Sequence, residues 1–153
     1  MAFKSSATNL VANDTNGLDD IFVKDMQTGV TTRVSTDSSG VEGNNASAEP
    51  ALSADGRYVA FYSDATNLVS GDINGYFDIF VKDTQTGVTM RVSTDSRGLE
   101  TNNGRIRPGI RAEGRYVAFS SYASNLVPGD GNGKPDNFLL DRQEGVTRRV
   151  GTD

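Results

Sequence analysis

The chain of 153 residues contains no cysteine, no histidine and no tryptophan. Without cysteine there is no disulfide framework, no thiolate nucleophile and no thiolate metal site. Without histidine the ordinary neutral-pH base and the commonest zinc ligand are missing together, which excludes histidine-based triads and histidine-dependent metal centres. Proline is scarce, at 4 residues, and no run approaches the ~18 apolar residues of a membrane-spanning helix. The first ten residues, MAFKSSATNL, lack the apolar stretch of a secretory leader. Positive charge is also in deficit, with 15 Lys and Arg against 20 Asp and Glu and a net charge of −5. That balance offers no footprint for phosphate backbones or anionic lipid, so neither nucleic acid nor membrane insertion is expected.

What the chain does have is repetition. Shifted against itself by 58 positions, it matches in 37 of the 58 pairs from Met1/Val59 to Tyr58/Tyr116. A second shift carries Val59 onto Val117, and the last stretch follows the same template more loosely. A period of this size marks a stacked array of supersecondary units. Each period holds three strand candidates rich in Val, Ile, Phe, Tyr and Thr, at 57–63 (RYVAFYS), 78–83 (DIFVKD) and 88–93 (VTMRVS). TQTG forms a tight hairpin between the second and third, with Gly87 free to take positive φ. A fourth, weaker strand is read at 46–53 (ASAEPALS) and 105–111 (RIRPGIR), ending at the turns ADG and AEG. No segment sustains a 3.6-residue period, so almost no helix is expected. Four antiparallel strands per period, copied along the chain, make an all-β protein built of β-propeller blades.

The stretch SADGRYVAF, followed by DIFVKD and RVST, resembles the PD40 or TolB-type propeller repeat, in which a Ser-x-Asp-Gly turn joins the inner pair of strands. The resemblance spans essentially the whole chain. The insert NLV-x-GD-x-NG is similar to the long-loop variety of secreted bacterial multi-repeat proteins described as calcium-binding or TolB-like. The reading is a single repeat domain, 1–153, of about two and a half to three four-stranded blades: 1–45 lacking its inner strand, 46–103, and 104–153. Repeat three departs from the pattern, with Glu113 in place of Asp55, Asn137 in place of Ile79 and Arg111 in place of Ser53.

If the strands run a, b, c, d from inside to outside, the long b-to-c inserts and d-to-a links emerge on one side of the ring and the tight turns on the other. Long loops on a rigid frame carry function, so that side is the candidate surface. On it the pattern Asp-x-Asn-Gly-x-x-Asp occurs three times, as Asp14, Asn16, Asp20; Asp72, Asn74, Asp78; and Asp130, Asn132, Asp136. Such oxygens around a Gly-permitted bend suit Ca²⁺, which wants about six to eight oxygen ligands. The pattern is shorter than an EF-hand loop and supplies about half a shell. Water, or Glu42, Glu100, Asn44 or Asn102 on an adjacent link, would complete it. An Asx turn, with the side chains bonding their own backbone, accounts for the same residues without a metal.

Three further sets recur. Asp25/Arg33, Asp83/Arg91 and Asp141/Arg149 read as cross-strand ion pairs or turn caps. Phe3, Phe61 and Phe119, with Phe22, Phe80 and Phe138, read as packing between blades. Tyr62, Tyr76 and Tyr122 are the only candidates for a sugar-stacking platform, and each stands where the repeat keeps no aromatic residue. No carboxylate pair is set apart as in a glycosidase.

The sequence therefore points to a non-enzymatic, calcium-stabilised β-propeller module acting as an extracellular or cell-surface scaffold, its leader outside these residues. The alternative is a glycan- or peptide-binding propeller using the long-loop face. Strands in the order b-c-d, a-b-c-d, a-b-c-d leave an open arc with exposed sheet edges, so self-association is expected. Two copies making six blades is the simplest closure; head-to-tail assembly and membership of a longer repeat protein are the other ways to complete the arc.

Overall fold

The computed structural model describes residues 1–104, 108–111 and 113–151. These form eleven strands and, among the described residues, no helix. The first sheet holds β1 (Ala2–Ser5), β2 (Asp20–Lys24) and β3 (Thr31–Arg33), paired in that order. The second holds β4 (Ser47–Leu52), β5 (Tyr58–Ser63), β6 (Asp78–Asp83) and β7 (Thr89–Arg91), again side by side in chain order. The third holds β8 (Gly109–Arg111), β9 (Tyr116–Ser121), β10 (Asp136–Asp141) and β11 (Val146–Val150). All pairings are antiparallel, each between strands that follow one another in the chain. The strand read at 105–111 falls partly on 105–107, outside the described residues, as does Ala112 of the AEG turn. No ring is closed.

The tight turns lie where glycine permits them. Gly56 and Gly87 adopt φ of 74° and 77°, and Asp83 caps its hairpin by accepting hydrogen bonds from the amides of Gln85 and Thr86. At the corresponding turn of repeat three the non-glycine residue Glu113 is itself left-handed, with φ of 53°. Asp83 and Asp141 are not paired with Arg91 and Arg149, as the sequence reading allowed. They accept instead from Arg57 and Arg115 of the neighbouring strand, at 2.7 and 2.6 Å, and these guanidiniums hold both carboxyls well below the usual range. The register explains the difference: Arg91 lies opposite Phe80, three residues along the strand from Asp83.

Strand alternation sends each middle-sheet face to a different neighbour. Val59, Phe61 and Phe80 join Ile21 and Val34 of the first sheet in one buried cluster, which also takes in Leu68 of the long insert. Ala60, Ile79 and Val81 join Phe119, Phe138 and Leu140 of the third sheet in the other. The phenylalanines also pair across strands within each sheet, with ring centroids 5.7 Å apart for Phe3/Phe22, 5.9 Å for Phe61/Phe80 and 5.6 Å for Phe119/Phe138. Burying these faces drives the stacking of sheet on sheet.

Candidate functional site

The long inserts and links do gather at one end of the sheets, and each link lies between two inserts. Glu42 and Gly43 hold the insert of their own repeat, through Thr15 N to Glu42 Oε2 at 3.1 Å and Asn16 Nδ2 to Gly43 O at 3.1 Å. Asn44 reaches forward, exchanging bonds of 2.9 to 3.0 Å with Thr66 and Asn67 of the next insert. Glu100, Thr101 and Asn102 repeat this pattern against Ile73, Asn74, Ser124 and Asn125. The links thus tie neighbouring blades together on this face.

Within each insert the three asparagines make the Asx turn. Asn16, Asn74 and Asn132 accept from the amide two residues on, at 2.8 to 2.9 Å. Their amide nitrogens donate to the final aspartate at 3.1, 2.9 and 3.3 Å. Asn Oδ1 is therefore engaged with the backbone, and the carboxylates face one another. Asp14, Asp20 and Glu42 each bring an oxygen within 4.8 Å of the others. Of the residues read as completing the shell, Glu42 and Glu100 do converge here, whereas Asn44 and Asn102 face the next blade.

A residue the sequence reading assigned elsewhere sits among these acids. Arg33 Nη1 lies 2.7 Å from Glu42, 3.4 Å from Asp14 and 3.5 Å from Asp20. Arg91 Nη1 lies 2.7 Å from Glu100, 3.5 Å from Asp72 and 3.8 Å from Asp78. Arg149 Nη1 lies 3.6 Å from both Asp130 and Asp136. The legible signal was spacing: each arginine follows the last aspartate of its insert by the same interval, and its strand register points it back toward the insert. Ser35 and Ser93, also missed, donate to buried Asp20 and Asp78 from the adjoining chain.

The electrostatics of these nests are unbalanced. Three carboxylates against one guanidinium leave a net charge of −2 in each of the first two. Burial raises the carboxyls of Asp20, Asp78 and Asp130, and pushes Asp72 up to about 6, with the charge of Asp78 adding to it. Asp14 Oδ1 and Asp130 Oδ2 are buried and accept no hydrogen bond. Buried, under-neutralised oxygens of this kind suit a hard divalent cation, and the acids on these positions are the ones that would hold it.

Stacked antiparallel sheets of three, four and four strands, paired in chain order, define the class as β-propeller blades. Among solved structures, the chain is similar to TolB from Acinetobacter baumannii, with a TM-score of 0.59 and 19% identity over 99% of this chain and 29% of that one. It is similar too to a putative TolB from Agrobacterium tumefaciens, with a TM-score of 0.52 and 21% identity over 88% of this chain and 42% of that one. The fold is thus of the TolB-propeller kind, and the chain spans well under half the length of either neighbour. No protein-family model and no curated protein matches it.

Proposed function

We propose that the chain is a non-enzymatic β-propeller module, an extracellular or cell-surface scaffold whose long-loop face takes up calcium and whose open arc closes by self-association. The observation that carries the calcium reading is the −2 excess in the two complete nests, each built from an insert, an outer strand and a link. A divalent ion brings such a nest to neutrality with its arginine still in place. Few oxygens are offered per nest, which matches the weak, roughly 10⁻⁴ to 10⁻³ M, calcium affinities of extracellular modules. For assembly, the support is β1, which pairs with β2 on one side only among the described residues. Two copies give six blades.

The test is thermal unfolding with and without millimolar calcium, alongside light scattering of the eluting species. Calcium should raise Tm, and Asp72→Asn/Asp78→Asn should remove the part of the rise owed to that nest. If the equivalent pairs in all three inserts are replaced together and the rise is unchanged, the calcium reading fails. A particle of monomer mass in calcium rejects the self-association reading separately.

A further inference from the structure

On the same long-loop face an open cleft of about 500 Å³ lies between the second insert and the links that enter β4 and β8. Its volume falls in the ~300–1,000 Å³ range of small-ligand sites. Tyr76 and Phe77 line it and are 45% and 40% exposed, and Tyr62 packs edge-on against Phe77 with centroids 5.4 Å apart. Asn45, Asp64 and Asn103 supply polar atoms around the rings, and among the described residues the one charged side chain lining the cleft is Asp64. The Asp64 carboxylate, raised by partial burial, accepts no side-chain or backbone hydrogen bond among the described residues. At Gly104 an added Cβ would lie 3.1 Å from the backbone of Phe77, so the link runs tight beneath the rings and holds their backbone in place.

The scaffold does not require these aromatics. In repeat one the positions of Tyr62 and Phe77 hold Lys4 and Asp19, which form a solvated ion pair at 2.6 Å. In repeat three they hold Ser120 and Pro135, and Tyr76 gives way to Lys134. The middle copy alone exchanges a charge pair for three aromatic rings, two of them exposed, next to side-chain amides and a carboxylate. Their absence from the repeat, which on sequence alone counts against a platform, is what sets them apart from the packing.

We infer that this cleft binds a neutral carbohydrate. Ring faces take the C–H face of a pyranose, while side-chain amides and a carboxylate take its hydroxyls. The Asp64 carboxylate in the lining disfavours anionic ligands. A quaternary ammonium fits less well, because Tyr62 and Phe77 touch each other and leave no gap between their faces for a cation. The inference does not rest on calcium binding or self-association.

The experiment is saturation-transfer NMR on the full chain in calcium, using neutral hexose and N-acetylhexosamine disaccharides, with choline as a competing probe. At least one disaccharide should bind with saturation arriving through aromatic protons. Tyr76→Leu/Phe77→Asp, which installs the residues of repeat one at these positions, should weaken it by about tenfold or more. Tyr122→Ala, in the third insert just after β9, should leave it unchanged, and the circular dichroism of both variants should match the parent. The inference is overturned if no disaccharide binds at millimolar concentration, if binding survives the double variant, or if choline alone is bound.

Discussion

The two junctions between sheets solve the same packing problem in opposite ways. Between the first and second sheets a lysine is buried: Lys82 Nζ donates to Thr36 Oγ1 at 2.9 Å, Asp37 O at 2.7 Å and Thr89 Oγ1 at 3.0 Å. Between the second and third the equivalent residue is Leu140, which joins the apolar cluster. Around both, the polar frame is the same. Thr89 Oγ1 donates to Thr36 O at 2.6 Å, and Thr147 Oγ1 donates to Thr94 O at 2.7 Å. The second junction adds a clamp at its opposite end, where the Tyr58 ring lies between the guanidiniums of Arg57 and Arg142, 4.9 and 4.5 Å from its centroid. The backbone frame therefore sets where a junction forms, and the residues filling it are free to be ionic or apolar.

The largest expected effect breaks the second junction. Gly114 has φ of 85°, and a Cβ there would meet the Tyr58 ring at 2.1 Å. Gly114→Ala should cost about 3 kcal/mol, combining left-handed strain with overpacking, as read by urea unfolding. Next, Thr36→Val removes one acceptor from the buried ammonium and should cost about 1–3 kcal/mol. Thr94→Val, its counterpart facing Leu140, should cost less, and the difference measures what the lysine demands of its frame. Smallest is Lys82→Leu, which makes the first junction like the second. Replacing a buried ion by an apolar side chain is often neutral or stabilising, so a change within about 1 kcal/mol is expected. Thr36→Val should then lose most of its cost in the Lys82→Leu background.

A pH dependence sharpens the contrast between junctions and nests. Asp72 is raised from 3.8 to about 6 in the folded state. Between these values the folded chain holds more protons than the unfolded one, so without divalent ions stability should fall as pH rises from about 4 to about 6. The paired Asp83 and Asp141, held low, act oppositely and only below the ordinary carboxyl range. Chemical unfolding at pH 4 and pH 6.5 in chelator, and again in calcium, should show a drop that calcium abolishes.

The fold was largely legible because the period reports backbone repetition directly. The strand read at 78–83 is β6 itself, and that read at 57–63 begins one residue early. The third was read longer than β7, since the flanking Val92 and Ser93 are buried in the insert's frame without pairing as strand. The site was half legible. Composition showed the acids and the spacing of the asparagines, but not that Arg33, Arg91 and Arg149 turn into the nests, because that follows from cross-strand register. Nor could it show Lys4/Asp19 and Tyr62/Phe77 as neighbours, fifteen residues apart in each repeat.

The most direct measurement of the central claim is the number of calcium ions retained per chain in equilibrium dialysis at millimolar calcium. Two sites per chain are expected at saturating calcium, one for each nest with a −2 excess, falling to one in Asp72→Asn/Asp78→Asn. No bound calcium at all, with the arginines alone neutralising the acids, would contradict it.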